Sequence, residues 1–147
     1  MMEKIAVSAC LAGRACRYDG KSVPNDSMVQ RMEKEDVLLI CPEVLGGLPT
    51  PRVPAEIVGG DGYDVLAGKA RVMNRDGEDV TVEFIAGAEA ALAMLKEEGI
   101  TKVYLKARSP SCGAGKIYDG TFSGRVVDGT GVAAALLIKS GISVKAL

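Results

Sequence analysis

Val80 to Ala107 reads VTVEFIAGAEAALAMLKEEGITKVYLKA, two elements of different period joined through a glycine. Val80, Phe84, Ala88, Ala91, Leu92 and Leu95 recur at helical spacing and share one face, and Gly99 stands where a C-cap ends such a helix. Lys102 to Ala107 (KVYLKA) then reads as a short buried strand. The alternation extends outward in both directions. Upstream, Lys4 to Cys10 (KIAVSAC) and Val37 to Cys41 (VLLIC) are short apolar runs that read as buried strands. Between them lie a polar loop, Arg14 to Lys21, and a short helix near Ser27 to Lys34, opened by the turn and cap residues Pro24 to Ser27. Downstream, Thr130 starts a helix through Ser140, Gly141 ends it, and Ile142 to Ala146 (ISVKA) forms a fourth strand.

Strands alternating with helices predict an α/β fold with a mainly parallel sheet in a three-layer α/β/α arrangement. The 147 residues suit one domain with one core, residues 1–147. Hydrophobic residues make up 48% of the chain and aromatics only 4%, so that core is built from aliphatic side chains. The Gly- and Pro-dense segment Pro42 to Gly62 reads as an irregular, locally stiff loop, Ala70 to Met73 as a short strand, and Ile117 to Gly124 as a turn-rich hairpin. The fold is Rossmann-like in outline but carries no dinucleotide motif: no G-x-G-x-x-G follows a strand, and no phosphate-binding G-x-x-x-x-G-K-[ST] is present.

The formal charge of −1 argues against a broad phosphate-tracking surface, and the scarcity of aromatics argues against single-stranded nucleic acid. The run Ile5 to Ala12 is too short, and its flank wrong, for a secretory signal, and no run approaches the roughly 20 apolar residues of a membrane span. A cytoplasmic chain without a membrane partner is expected. Disulfides are rare in that compartment, so the four cysteines point to metal binding, catalysis or simple burial.

Those cysteines, at 10, 16, 41 and 112, contain no C-x-x-C pair, which argues against a zinc ribbon and against a thioredoxin-like dithiol. Cys10, Cys41 and Cys112 each fall at or after the end of a strand, on the edge of a parallel sheet where ligands collect. An iron–sulfur cluster tolerates such wide spacing when the fold converges its thiolates, and three ligands would leave one iron open. Buried small hydrophobes are the competing interpretation of the same cysteines. The chain has no histidine, so proton transfer falls to other groups, and Glu43, two residues beyond Cys41, is the natural acid–base candidate. Serines and glycines crowd Cys112 in Arg108 to Gly115 (RSPSCGAG) and put hydrogen-bond donors around its sulfur. Arg52, ending the stiff turn Pro49 to Arg52, and the group Arg17, Tyr18 and Asp19 could bind an anionic or planar ligand, or simply brace their loops.

SACLAGRACRYDGK, CPEVLGGLPTPRVPAEI, SPSCGAGKIYDGTFSG and the closing GVAAALL…GI.V pattern together resemble one family across nearly the whole chain. It was long catalogued as a domain of unknown function and includes the thiouracil desulfurases. The resemblance implies a 4Fe–4S cluster held by Cys10, Cys41 and Cys112 with one iron open to substrate. It implies that Glu43 assists with a serine, Ser109 or Ser111. It implies non-redox conversion of a thiolated pyrimidine base or nucleoside to its oxo form, with release of sulfide. The family pattern accepts an aliphatic residue as readily as cysteine at position 16, which makes Cys16 a nearby accessory thiol. The other readings are a cluster- or zinc-binding sensor or scaffold, and a desulfurase of thiolated tRNA. The assembly expected is a monomer or small homo-oligomer.

Overall fold

The computed structural model describes residues 4–9 and 36–146. Four strands form one all-parallel sheet: β1 (Lys4–Ser8), β2 (Asp36–Ile40), β5 (Lys102–Leu105) and β8 (Ser143–Ala146), in the order β2-β1-β5-β8. Each is four or five residues long; β1 and β5 are largely apolar and buried, as expected of strands covered on both faces, whereas the edge strand β8 (SVKA) is largely exposed. Ala6, Ile40, Val103 and Leu105 point to one face. There they meet Ala91 and Leu95 of α3 (Thr81–Glu98) and Ala134 and Leu137 of α4 (Val132–Lys139). Ile5, Val7 and Tyr104 are buried on the opposite face. The helix expected near Ser27 to Lys34 lies outside the described residues.

Helix α3 confirms the period read from its sequence: Phe84, Ala88, Ala91 and Leu95 are buried. Asp79 accepts a hydrogen bond from the Thr81 amide (2.9 Å) just ahead of its first turn. Gly99 closes it in the left-handed conformation, φ 67°, with the Ile100 amide donating to the Leu95 carbonyl (2.9 Å).

Pro42 to Gly62 differs from the irregular loop expected. It contains the short helix α1 (Pro42–Leu45) and the strand β3 (Ala55–Val58). β3 pairs antiparallel with β4 (Arg71–Asn74), and α2 (Gly62–Leu66) lies between them. Proline and glycine punctuate this segment so densely that a four-residue strand shows no period, and its pairing partner stands a dozen residues away. A further hairpin, β6 (Lys116–Tyr118) with β7 (Val126–Asp128), follows the Cys112 loop.

α1 owes its position to two glycines. A Cβ on Gly87 would lie 1.8 Å from the Pro42 carbonyl oxygen, and one on Gly46 would lie 2.0 Å from that of Glu83. The backbones of α1 and α3 therefore touch directly. That contact fixes the direction in which the chain leaves β2, and with it Cys41 and Glu43.

Candidate functional site

β1 is the central switch of the sheet, since the chain moves to one side of it for β2 and to the other for β5. A crevice at the carboxyl ends of such strands is the expected ligand site. A cavity of about 310 Å³ occupies it. Ser8 and Ala9 at the end of β1, Ile40 and Cys41 at the end of β2, and Lys106 and Ala107 after β5 form its floor. Pro42, Glu43 and Arg52 form one wall, and Ser109, Pro110 and Cys112 another. Glu56, Arg75, Tyr118 and Phe122 complete the lining from the β3–β4 pair and the β6–β7 hairpin.

Cys41 and Cys112 thus meet, and neither is in a disulfide. Cys41 is the N-cap of α1, with φ −138° and ψ 95°, and Pro42 occupies the first helical position that suits proline. Cys112 is 5% exposed. Burial pushes its thiol up to about 12; a Ser8 hydrogen bond opposes the shift, and the charges of Glu43 and Cys41 add to it. Such a thiol stays protonated until a cation replaces the proton, because metal binding reverses the electrostatics of a buried thiol. Two adjacent soft sulfur donors in a histidine-free chain suit iron of an iron–sulfur cluster. Among the described residues no three cysteine or acidic side chains gather as a complete metal site. The expected third ligand, Cys10, lies outside them, as do Cys16, Arg17, Tyr18 and Asp19.

The Cys112 loop is pinned from both ends. Ser109 Oγ accepts from the amides of Ser111 and Cys112, each at 3.1 Å. The carbonyls of Pro110 and Ser111 accept from Val132 and Ala134 (2.8 and 3.0 Å), amides of the first turn of α4 that have no partner within the helix. Ser109 lines the cavity. Ser111 is 1% exposed and absent from the lining, its Oγ 4.0 Å from the Cys112 sulfur.

Glu43 and Arg52 form an ion pair, Nε to Oε1 at 3.4 Å, with side chains 18% and 6% exposed. Burial raises the Glu43 carboxyl above its ordinary range, and Arg52 works against the rise. Arg52 Nη1 also donates to the Pro49 carbonyl and Thr50 Oγ1, both at 3.1 Å, so the guanidinium braces its own turn. Sequence reasoning missed Ser8, Glu56, Arg75 and Phe122. Ser8 Oγ accepts from the Lys106 amide (2.9 Å) and ties the ends of β1 and β5 together beneath Cys112. Its position two residues before Cys10 was the available signal.

A family profile described as 2-thiouracil desulfurase matches residues 5–146. The chain is 48% identical over 140 residues to the uncharacterized protein YbbK of Bacillus subtilis (strain 168), covering 95% of this chain and 93% of that one. It also resembles the solved structure of a 4Fe-4S-dependent thiouracil desulfidase, TudS (DUF523Vcz). There the TM-score is 0.85 at 44% identity, covering 98% of this chain and 90% of the other.

Proposed function

Because the chain belongs to the 2-thiouracil desulfurase family, we propose that it removes sulfur from a thiolated uracil, free or as a nucleoside, at a 4Fe–4S cluster in the cytoplasm. The observation that carries this reading is the convergence of Cys41, Cys112 and Glu43 on one cavity at the carboxyl edge of the sheet. Cys41 and Cys112 would hold the cluster together with Cys10. When bound, it supplies a Lewis-acidic iron suited to a soft thiocarbonyl sulfur.

The chain's own residues handle water and protons. The net change is thiocarbonyl plus water giving carbonyl, hydrosulfide and a proton, with no electron gained or lost. The oxygen comes from water, and the carbon–sulfur bond breaks as the carbon–oxygen bond forms. Glu43 Oε1 is held by Arg52, which leaves Oε2 to take the proton of the attacking water. Both acceptor positions of Ser109 Oγ face backbone amides, so its own proton is free to orient that water or the carboxylate.

Anaerobic reconstitution with iron and sulfide, followed by assay on 2- and 4-thiouracil and their nucleosides, tests the reading. Sulfide release in step with oxo product is expected. A Cys41→Ala variant that keeps a full cluster and turns over sinks it, and a wild type with a full cluster and no turnover points instead to a sensor or scaffold. A steep fall of activity with salt would point to a tRNA-borne substrate.

A further inference from the structure

The chain contains two phenylalanines. Phe84 is core, 1% exposed, whereas Phe122 stands half-buried in the cavity lining. Its backbone has φ 57°, a left-handed conformation that bulky L-residues avoid and that persists only where the surroundings enforce it. Those surroundings are specific. Glu56 on β3 is 8% exposed, and its Oε1 accepts from the amides of Gly120 (2.9 Å) and Phe122 (3.2 Å). A Cβ on Gly120 would lie 2.6 Å from the Ile57 carbonyl oxygen, so the turn sits directly on β3. The Arg75 guanidinium lies 5.9 Å from the centroid of the Phe122 ring and helps fix its plane. A nearly buried carboxylate, a strained backbone and a stacked cation thus converge to hold one aromatic ring in the lining of the cavity that Cys41 and Cys112 also line.

We propose that Phe122 is the ring on which the substrate pyrimidine stacks, and that Glu56 is the positioning residue that holds Phe122 in place. This inference rests on the desulfurase reading above. Stacking engages the face of a planar base and leaves its edge free. The reacting sulfur projects from that edge, so a wall against the face orients the base without obstructing the bond that breaks. A contact to the face also does not read which edge carbon bears the sulfur, so Phe122 serves 2-thio and 4-thio isomers alike.

Reconstituted wild type, Phe122→Ala, Phe122→Leu, Phe122→Tyr and Glu56→Ala, matched for iron content, are compared in two ways: equilibrium binding of uracil, and KM and kcat for 2-thiouracil. Phe122→Ala and Phe122→Leu should each weaken uracil binding and raise KM by about tenfold, with kcat changed by less than about threefold. Phe122→Tyr should bind within about twofold of wild type. Glu56→Ala should move KM in the same direction, and adding Phe122→Ala to it should cost little more, as expected of residues acting as one unit. Normal affinity in Phe122→Leu would show that apolar bulk, not a ring, is needed and overturns the inference, as does Phe122→Tyr binding as poorly as Phe122→Ala. Ring-dependent uracil binding without desulfuration supports Phe122 stacking and overturns the desulfurase reading alone. Turnover with normal binding in the Phe122 variants overturns the stacking alone, and a wild type that binds no pyrimidine overturns both.

Discussion

Arg52 holds Glu43 across the cavity wall, Nε to Oε1 at 3.4 Å, from a turn that the same guanidinium braces through Pro49 and Thr50. The pair joins the acid–base candidate to a segment nine residues further along the chain. Removing the cation leaves a largely buried carboxylate without its partner, which costs about 1–3 kcal/mol when a charged hydrogen bond is lost. Arg52→Ala should therefore lower stability by that order in urea unfolding. It should also cut kcat for 2-thiouracil at least about tenfold at equal iron content. Arg52→Lys should recover only part, because an ammonium cannot reproduce the fork that reaches Glu43, Pro49 and Thr50 together.

Gly87→Ala reverses the usual sign of a helix substitution. In an ordinary helix interior this change stabilises by about 0.5–1 kcal/mol. Here the added methyl would meet the Pro42 carbonyl at 1.8 Å and force α1 off α3. A loss of about 1–3 kcal/mol is expected from overpacking, with reduced iron retention because Cys41 moves with α1. Thermal unfolding and iron content after reconstitution check it; a stabilised variant with full iron would refute the backbone contact.

The two serines beside Cys112 should separate in their effects. Ser109→Ala removes the acceptor of two amides, costs about 1 kcal/mol, and takes a hydroxyl out of the cavity. Its kcat should fall well below that of Ser111→Ala, since Ser111 lies outside the lining. Equal activity of the two variants would argue that neither hydroxyl acts on substrate.

Metal loading should divide the cysteines. Cys41→Ala and Cys112→Ala should lose most of the iron and the visible absorption of the reconstituted protein, whereas Cys16→Ala should retain both. Iron and sulfide determination under anaerobic conditions reads the result directly.

Acid should weaken the loop that carries Phe122. The Thr121 hydroxyl and then its amide bond to Asp119 and hold its carboxyl below the ordinary value. A group depressed on folding contributes stability above its unfolded value and loses it as pH falls through the folded one. The urea midpoint of wild type should therefore exceed that of Asp119→Asn at about pH 5, and the gap should narrow as pH falls below about 4. A difference that stays constant over that window would show that the hydrogen bonds of Asp119 are not what the carboxylate contributes.

The four parallel strands and the helices α3 and α4 were legible in the sequence because local rules write them. The period of Phe84, Ala88, Ala91 and Leu95, the cap at Gly99 and the apolar runs at Ile5, Leu38 and Val103 each report burial within a few residues. So was the gathering of Cys41 and Cys112, because a parallel sheet sends the ends of its strands to one edge. The strand Ala55–Val58 was not legible, since four residues between prolines and glycines carry no period until a partner strand defines their faces. Nor could neighbouring sequence choose between Ser109 and Ser111, which differ by which side of one tight turn meets the cavity. The Glu43–Arg52 pair spans nine residues, and the hold of Glu56 on Phe122 spans 66. Patterning along a chain records whether a side chain is buried; only the packing of distant segments decides against what, and that packing is where the seat of Phe122 and the partner of Glu43 were set.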